Sequence, residues 1–190
     1  MPIPFRDLDD LGELGAAAFL KVARGHDGGT LFGALFLVSA RGEPLEFTFN
    51  RADAPSSPLW RPADVRRQLE RSLTISLLSI CPRVPRLLLC LASEVSAELF
   101  SHEIRLSLPA CRIATALETV PYLAEERREL VETPEPLHLF WFPDRPSEGM
   151  VEARLLDELV GRGLLLEPFD RALAGLREVY GPFDRAESEP

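Results

Sequence analysis

Lysine is almost absent from this chain: Lys21 is the single one, so 20 of its 21 basic residues are arginine, and Asn50 and Gln68 are its only side-chain amides. Acids outnumber bases, giving a formal net charge of −9. That balance excludes the uniformly basic surface of a non-specific nucleic-acid binder and leaves only a local basic patch for such a partner. Cysteine is scarce too. Cys81, Cys90 and Cys111 are odd in number, widely spaced and set in or beside apolar runs, which excludes a disulfide framework or a zinc site and predicts buried thiols packing as small hydrophobes. No apolar run approaches the roughly 18 residues that span a bilayer. The first ten residues lack the basic and apolar regions of a signal peptide, so a cytoplasmic protein with no membrane partner is expected. Also missing are Gly-x-Gly-x-x-Gly, Gly-Lys-Ser/Thr, His-Glu-x-x-His and Gly-x-Ser-x-Gly, so no cofactor is expected.

What is present centres on residues 30–50, two strands joined by a tight turn at Arg41-Gly42-Glu43-Pro44. In the first, Leu31, Leu35 and Leu37 alternate with Phe32, Phe36 and Val38, the pattern of a strand covered on both faces. In the second, Leu45, Phe47 and Phe49 alternate with Glu46, Thr48 and Asn50, which places it nearer an edge. Residues 16–24 read as a preceding strand, and Gly25-His26-Asp27-Gly28-Gly29 as a hairpin loop. That loop is no phosphate cradle, because a strand rather than a helix follows it. Ahead of it, Asp7, Asp9 and Asp10 read as capping acids of a short lead-in.

A helix is predicted from Pro62 or Ala63 to Cys81-Pro82, with Val65, Leu69, Leu73, Leu77 and Ile80 as its apolar stripe. Residues 86–92 form a short apolar run expected to be a buried strand, reached by a crossover and parallel to its neighbour. Ser93–His102 is predicted as a short helix, 103–116 as one or two strands interrupted by Pro109, 123–131 as a short helix and 137–142 as a strand. The sheet has five or six strands up to residue 116, before the 137–142 strand is added. Two further helices follow, one through Val151, Leu155, Leu156, Leu159 and Val160, and one through Phe169, Leu173, Leu176 and Tyr180 that stops at Gly181-Pro182. The domain reading is a mixed α/β core over 1–116, a Pro/Glu-rich linker or surface excursion with one strand over 117–147, a helical region over 148–182 and a frayed tail over 183–190.

This order, a three-stranded antiparallel meander, a crossover helix and further strands in one sheet, resembles that of ribonuclease-H-like nuclease and recombinase domains over residues 16–116. The resemblance rests on element order, without a diagnostic motif, and implies two divalent metals held by carboxylates, one of them on the first strand. Here the first strand offers Lys21 and no acid. Glu46, Glu70 and Glu94 form a displaced candidate set, although Glu70 is equally explained by helical pairing with Arg66 and Arg67. Independently, Glu94, Glu98 and His102 would line one face if 93–102 were a continuous helix. Arg61, Arg66, Arg67, Arg71, Arg83 and Arg86 concentrate positive charge within 26 residues and are the candidate partner- or anion-binding set.

The expected function is a non-catalytic cytoplasmic protein-interaction or accessory module, whose partner is another protein or a second copy, with nucleic acid reached only through the arginine patch. Its supports are the missing catalytic motif, that patch and the aromatic run Phe140-Trp141-Phe142. The alternatives are a metal-dependent, phosphodiester-cleaving ribonuclease-H-like domain using some of Glu46, Glu70, Glu94, Glu98 and His102, and a ligand sensor with its pocket between the meander and the helix.

Overall fold

A computed structural model describes residues 11–26, 28–56 and 59–183. The acidic lead-in at Asp7, Asp9 and Asp10 and the tail beyond Phe183 lie outside these residues. After a 3-10 turn at Leu11–Leu14, the strands β1 (Ala16–Arg24), β2 (Thr30–Ser39) and β3 (Pro44–Asp53) form the expected antiparallel meander. Gly42 turns the β2–β3 corner at φ +81, a conformation glycine adopts without the strain of a Cβ. Helix α1 (Pro62–Ile80) then crosses over to β4 (Leu87–Leu91), which lies parallel to β1. The strand β5 (Ala110–Thr115) is parallel to β4, and β6 (Arg127–Val131) and β7 (Leu137–Phe142) complete one seven-stranded sheet in the order β3-β2-β1-β4-β5-β7-β6.

The two-faced apolar character of β1 and β2 decides the layering. Leu20, Leu35 and Leu37 join Leu69, Leu73 and Leu77 of α1 on one side, while Phe19, Phe36 and Leu89 join the helices α2 (Val151–Gly161) and α3 (Glu167–Tyr180) on the other. Phe19 meets Phe169 of α3 edge to face, with ring centroids 5.1 Å apart. Gly33 lets α1 lie close on β2, since a Cβ there would stand 2.8 Å from Leu73 Cδ2. Helices therefore cover both faces and the strand ends form the open edges.

Four local expectations are corrected. Ile80 is 54% exposed and leaves the apolar stripe, whose last buried member is Leu77. Residues 93–98 form turns, followed by a single π-helical turn at Leu99–Glu103, so no continuous helix aligns Glu94, Glu98 and His102. Only Ala110–Thr115 of the 103–116 segment is a strand; Ile104, Leu106 and Leu108 pack on the α1 side as irregular chain. Residues 127–131 are a strand rather than part of a helix, and pair with β7 at the sheet margin. An edge strand with few buried side chains leaves little apolar period to read.

Candidate functional site

The C-terminal ends of β1 and β4 lie side by side because the strands are parallel and in register, with Leu20 opposite Cys90. After Leu91 the ladder stops, and the Val22 N–H that faced β4 loses its strand partner. Glu94 supplies the replacement: its Oε2 accepts from Val22 N at 3.0 Å, and its Oε1 accepts from Lys21 Nζ. Thus the chain's single lysine, buried on β1, is committed to a carboxylate 73 residues away. Burial raises the Glu94 carboxyl above its ordinary range, opposed by the Lys21 charge and hydrogen bond and by the Val22 N–H.

Glu70 closes the site from α1. It is 2% exposed, and its oxygens accept from Arg66 Nε at 2.7 Å and from Ser96 N at 3.2 Å. Lys21, Glu70 and Glu94 together line a hollow of about 250 Å³ with Leu31, Ser93 and Leu173. A larger cleft of about 630 Å³ lies on the other side of Glu70 and Ser93, between the first half of α1 and residues 118–121. It is lined by Arg66, Arg67, Glu98 and Arg112, among others.

The displaced acidic set is therefore brought together only in part. Glu46 stays on the edge strand β3 opposite Leu37, two strands from β1 and toward its other end. Glu98 faces the larger cleft, and His102 is exposed on the π turn. The fold class implies divalent metals on carboxylates, and the donors here do not fit them. Lys21 brings an ammonium to the first-strand position, the carboxylate oxygens of Glu70 and Glu94 already accept from protein donors, and among the described residues no three of His, Cys, Asp and Glu group as metal ligands.

The six arginines divide between the ends of α1, whose 19 residues span about 28 Å. Near its start, Arg61 and Arg67 pair with Asp64 at 2.6 and 3.2 Å, and Arg67 and Arg71 reach Glu103 at 3.4 and 3.7 Å. Arg66 holds Glu70. Past its far end, Arg83 is exposed, and Arg86 meets Glu152 of α2 at 3.5 Å.

Sequence reasoning missed a second buried pair. Arg112 on β5 donates to Glu126 Oε1 at 2.9 Å and to Pro121 O at 2.8 Å, while Leu123 N donates to Glu126 Oε2 at 2.8 Å. Arg112 Nε is left without a partner. Arg112 within the otherwise apolar run of β5 was the available signal. Cys90 and Cys111 are buried thiols whose pKa values burial pushes up, and Cys81 is half-buried.

The architecture is that of a ribonuclease-H-like domain: a mixed seven-stranded sheet with the meander, the parallel strands and the helices in that class's arrangement. Among solved structures it is similar to endonuclease V from Bacillus subtilis, with a TM-score of 0.55, 13% identity, and coverage of 93% of this chain and 85% of that one. Argonaute from Marinitoga piezophila, in complex with a 5′ OH guide RNA, is matched at a TM-score of 0.37 and 7% identity, over 79% of this chain and 26% of that one. No family model matches the chain, and no curated protein does.

This likeness shows the fold, and it corrects the expectation of a non-catalytic protein-interaction or accessory module, because the solved structure whose fold this chain shares is that of an endonuclease. The interior explains why that expectation failed. Trp141 is fully buried and Phe140 3% exposed within the sheet, so the aromatic run presents no docking surface, and several of the arginines invoked are already paired. Among the described residues no helix is long and apolar enough to cross a membrane.

Proposed function

We propose that this chain is a nuclease-like domain acting on the phosphodiester backbone of nucleic acid at the Lys21–Glu70–Glu94 edge. The observation that carries the reading is the convergence of one lysine and two carboxylates at the paired ends of β1 and β4, in a fold similar to that of an endonuclease. Each group has a chemical role there. A carboxyl raised by burial, as in Glu94, suits a proton acceptor for an attacking hydroxyl or water. The Lys21 ammonium offsets the negative charge that grows on the phosphoryl oxygens during displacement. Glu70, with Ser96 N, holds the 93–96 turn in place. Arg61, Arg67 and Arg71 at the near rim meet flanking phosphates, since their exposed pairs are weak and open readily, while Arg66 stays with the buried Glu70. Arg83 and Arg86 are too far along α1 to reach the same phosphates.

The test is incubation of the protein with labelled single- and double-stranded DNA and RNA at low and moderate salt. Salt-sensitive binding and strand cleavage are expected, with cleavage lost and binding kept in Glu94→Gln. A second reading, in which the edge holds a strand without cutting it, is favoured by the prior engagement of both carboxylates. Binding without cleavage selects that reading. Absence of binding to every oligonucleotide overturns both.

A further inference from the structure

We infer that Lys21 is a resident cation: its ammonium takes the position of a divalent metal ion at this edge, so the site works on a phosphodiester without one, and Lys21→Asp turns it into a metal site. The phosphodiester clause rests on the function proposed above; the rest stands on the site's own chemistry.

Two carboxylates, 2% and 18% exposed at the side chain, converge on one strand edge. Buried carboxylates require nearby positive charge, and a divalent ion or tethered cations can supply it. Here the cations are tethered. Arg66 serves Glu70, Lys21 serves Glu94, and the remaining oxygen of each accepts a backbone N–H from Ser96 or Val22. A hard cation needs oxygen ligands with free lone pairs and no competing charge beside them, so an ion entering here would first have to evict an ammonium fixed to β1. The sequence carries that ammonium at one position only, with no second lysine in the chain. Aspartate at the same position would replace the ammonium with a shorter carboxylate. It would leave room for an ion with oxygen bonds of about 2.1 Å between β1 and Glu94.

Thermal unfolding is followed during titration with Mn²⁺ for wild type, Lys21→Asp, and Lys21→Asp combined with Glu94→Gln, alongside oligonucleotide binding by wild type with and without EDTA. Wild type should show no saturable Mn²⁺ response and bind equally with EDTA. Lys21→Asp should gain a saturable rise in Tm, about 5–10 °C at a hundred times its Kd, and the added Glu94→Gln should abolish it. If Lys21→Asp does not fold without metal, recovery of its unfolding transition in Mn²⁺ supports the inference, and Lys21→Asn reads the same gain at higher Mn²⁺. Saturable stabilisation of wild type that Glu94→Gln removes overturns it, as does indifference of both Lys21 variants to Mn²⁺. Failure of wild type to bind any oligonucleotide overturns the proposed function instead and leaves the Mn²⁺ readout to decide the resident cation.

Discussion

Two buried ion pairs, Lys21–Glu94 and Arg112–Glu126, look alike in composition and differ in what surrounds them. Arg112 and Glu126 are 3% and 2% exposed at the side chain; one arginine nitrogen also donates to Pro121 O, and the guanidinium lies 5.7 Å from the Phe140 ring centroid. The contacts to Glu126 and Pro121 fasten residues 121–126 to β5, so the pair is a staple for a long connection between strands. Arg112 also lines the larger cleft, but its donors are spent on residues 121–126; Lys21 and Glu94 instead stand where two parallel strands end, at 11% and 18% exposure. Their energy is held at a place that solvent and a ligand can approach. A buried pair is thus no mark of a site by itself; its position relative to the strand ends separates the two.

Breaking each pair sharpens the contrast. Glu126→Ala leaves Arg112 charged, buried and uncompensated, and should destabilise the fold by about 3–5 kcal/mol, a fall in Tm of about 6–20 °C by calorimetry. If the loss is no larger than for an exposed pair, Arg112–Glu126 is not a staple.

Lys21→Met should cost less, about 1.5–3 kcal/mol near pH 8, and the cost should depend on pH. Burial raises the folded-state Glu94 carboxyl above its unfolded value, so its contribution is fully present below the unfolded pKa and is lost as pH rises through the folded pKa. Removing Lys21 takes away a group that lowers that value and moves it further up. Tm measured at pH 5 and pH 8 should therefore diverge more in Lys21→Met than in wild type; parallel pH profiles would show that the pair does not set the Glu94 carboxyl.

The smallest effect belongs to the rim. Arg71→Ala removes an exposed contact to Glu103 at 3.7 Å and should shift stability by under about 1 kcal/mol, while weakening oligonucleotide binding at low salt. An equal loss of binding at low and high salt would show that Arg71 does not act through its charge.

The sequence by itself determined the elements whose burial follows a regular period. The β1–β3 meander, the span of α1 from Pro62 to Ile80, the apolar strand β4 and the helices α2 and α3 were legible because one or both faces repeat every two or about three and a half residues. It also showed Lys21 standing on the first strand where the resembled class carries an acid. Periodicity could not reach the edge strand β6, whose polar residues carry no pattern, nor the turns at 93–98, where Glu94 completes a ladder that β4 leaves open. Only the tertiary structure decided that Lys21 meets Glu94, that Arg112 meets Glu126, and that Glu70 rather than Glu46 belongs at the edge. The physical reason is that local pattern reports which face of an element is buried, whereas the pairing of distant charges is set by strand order and register, which bring together residues the chain holds far apart.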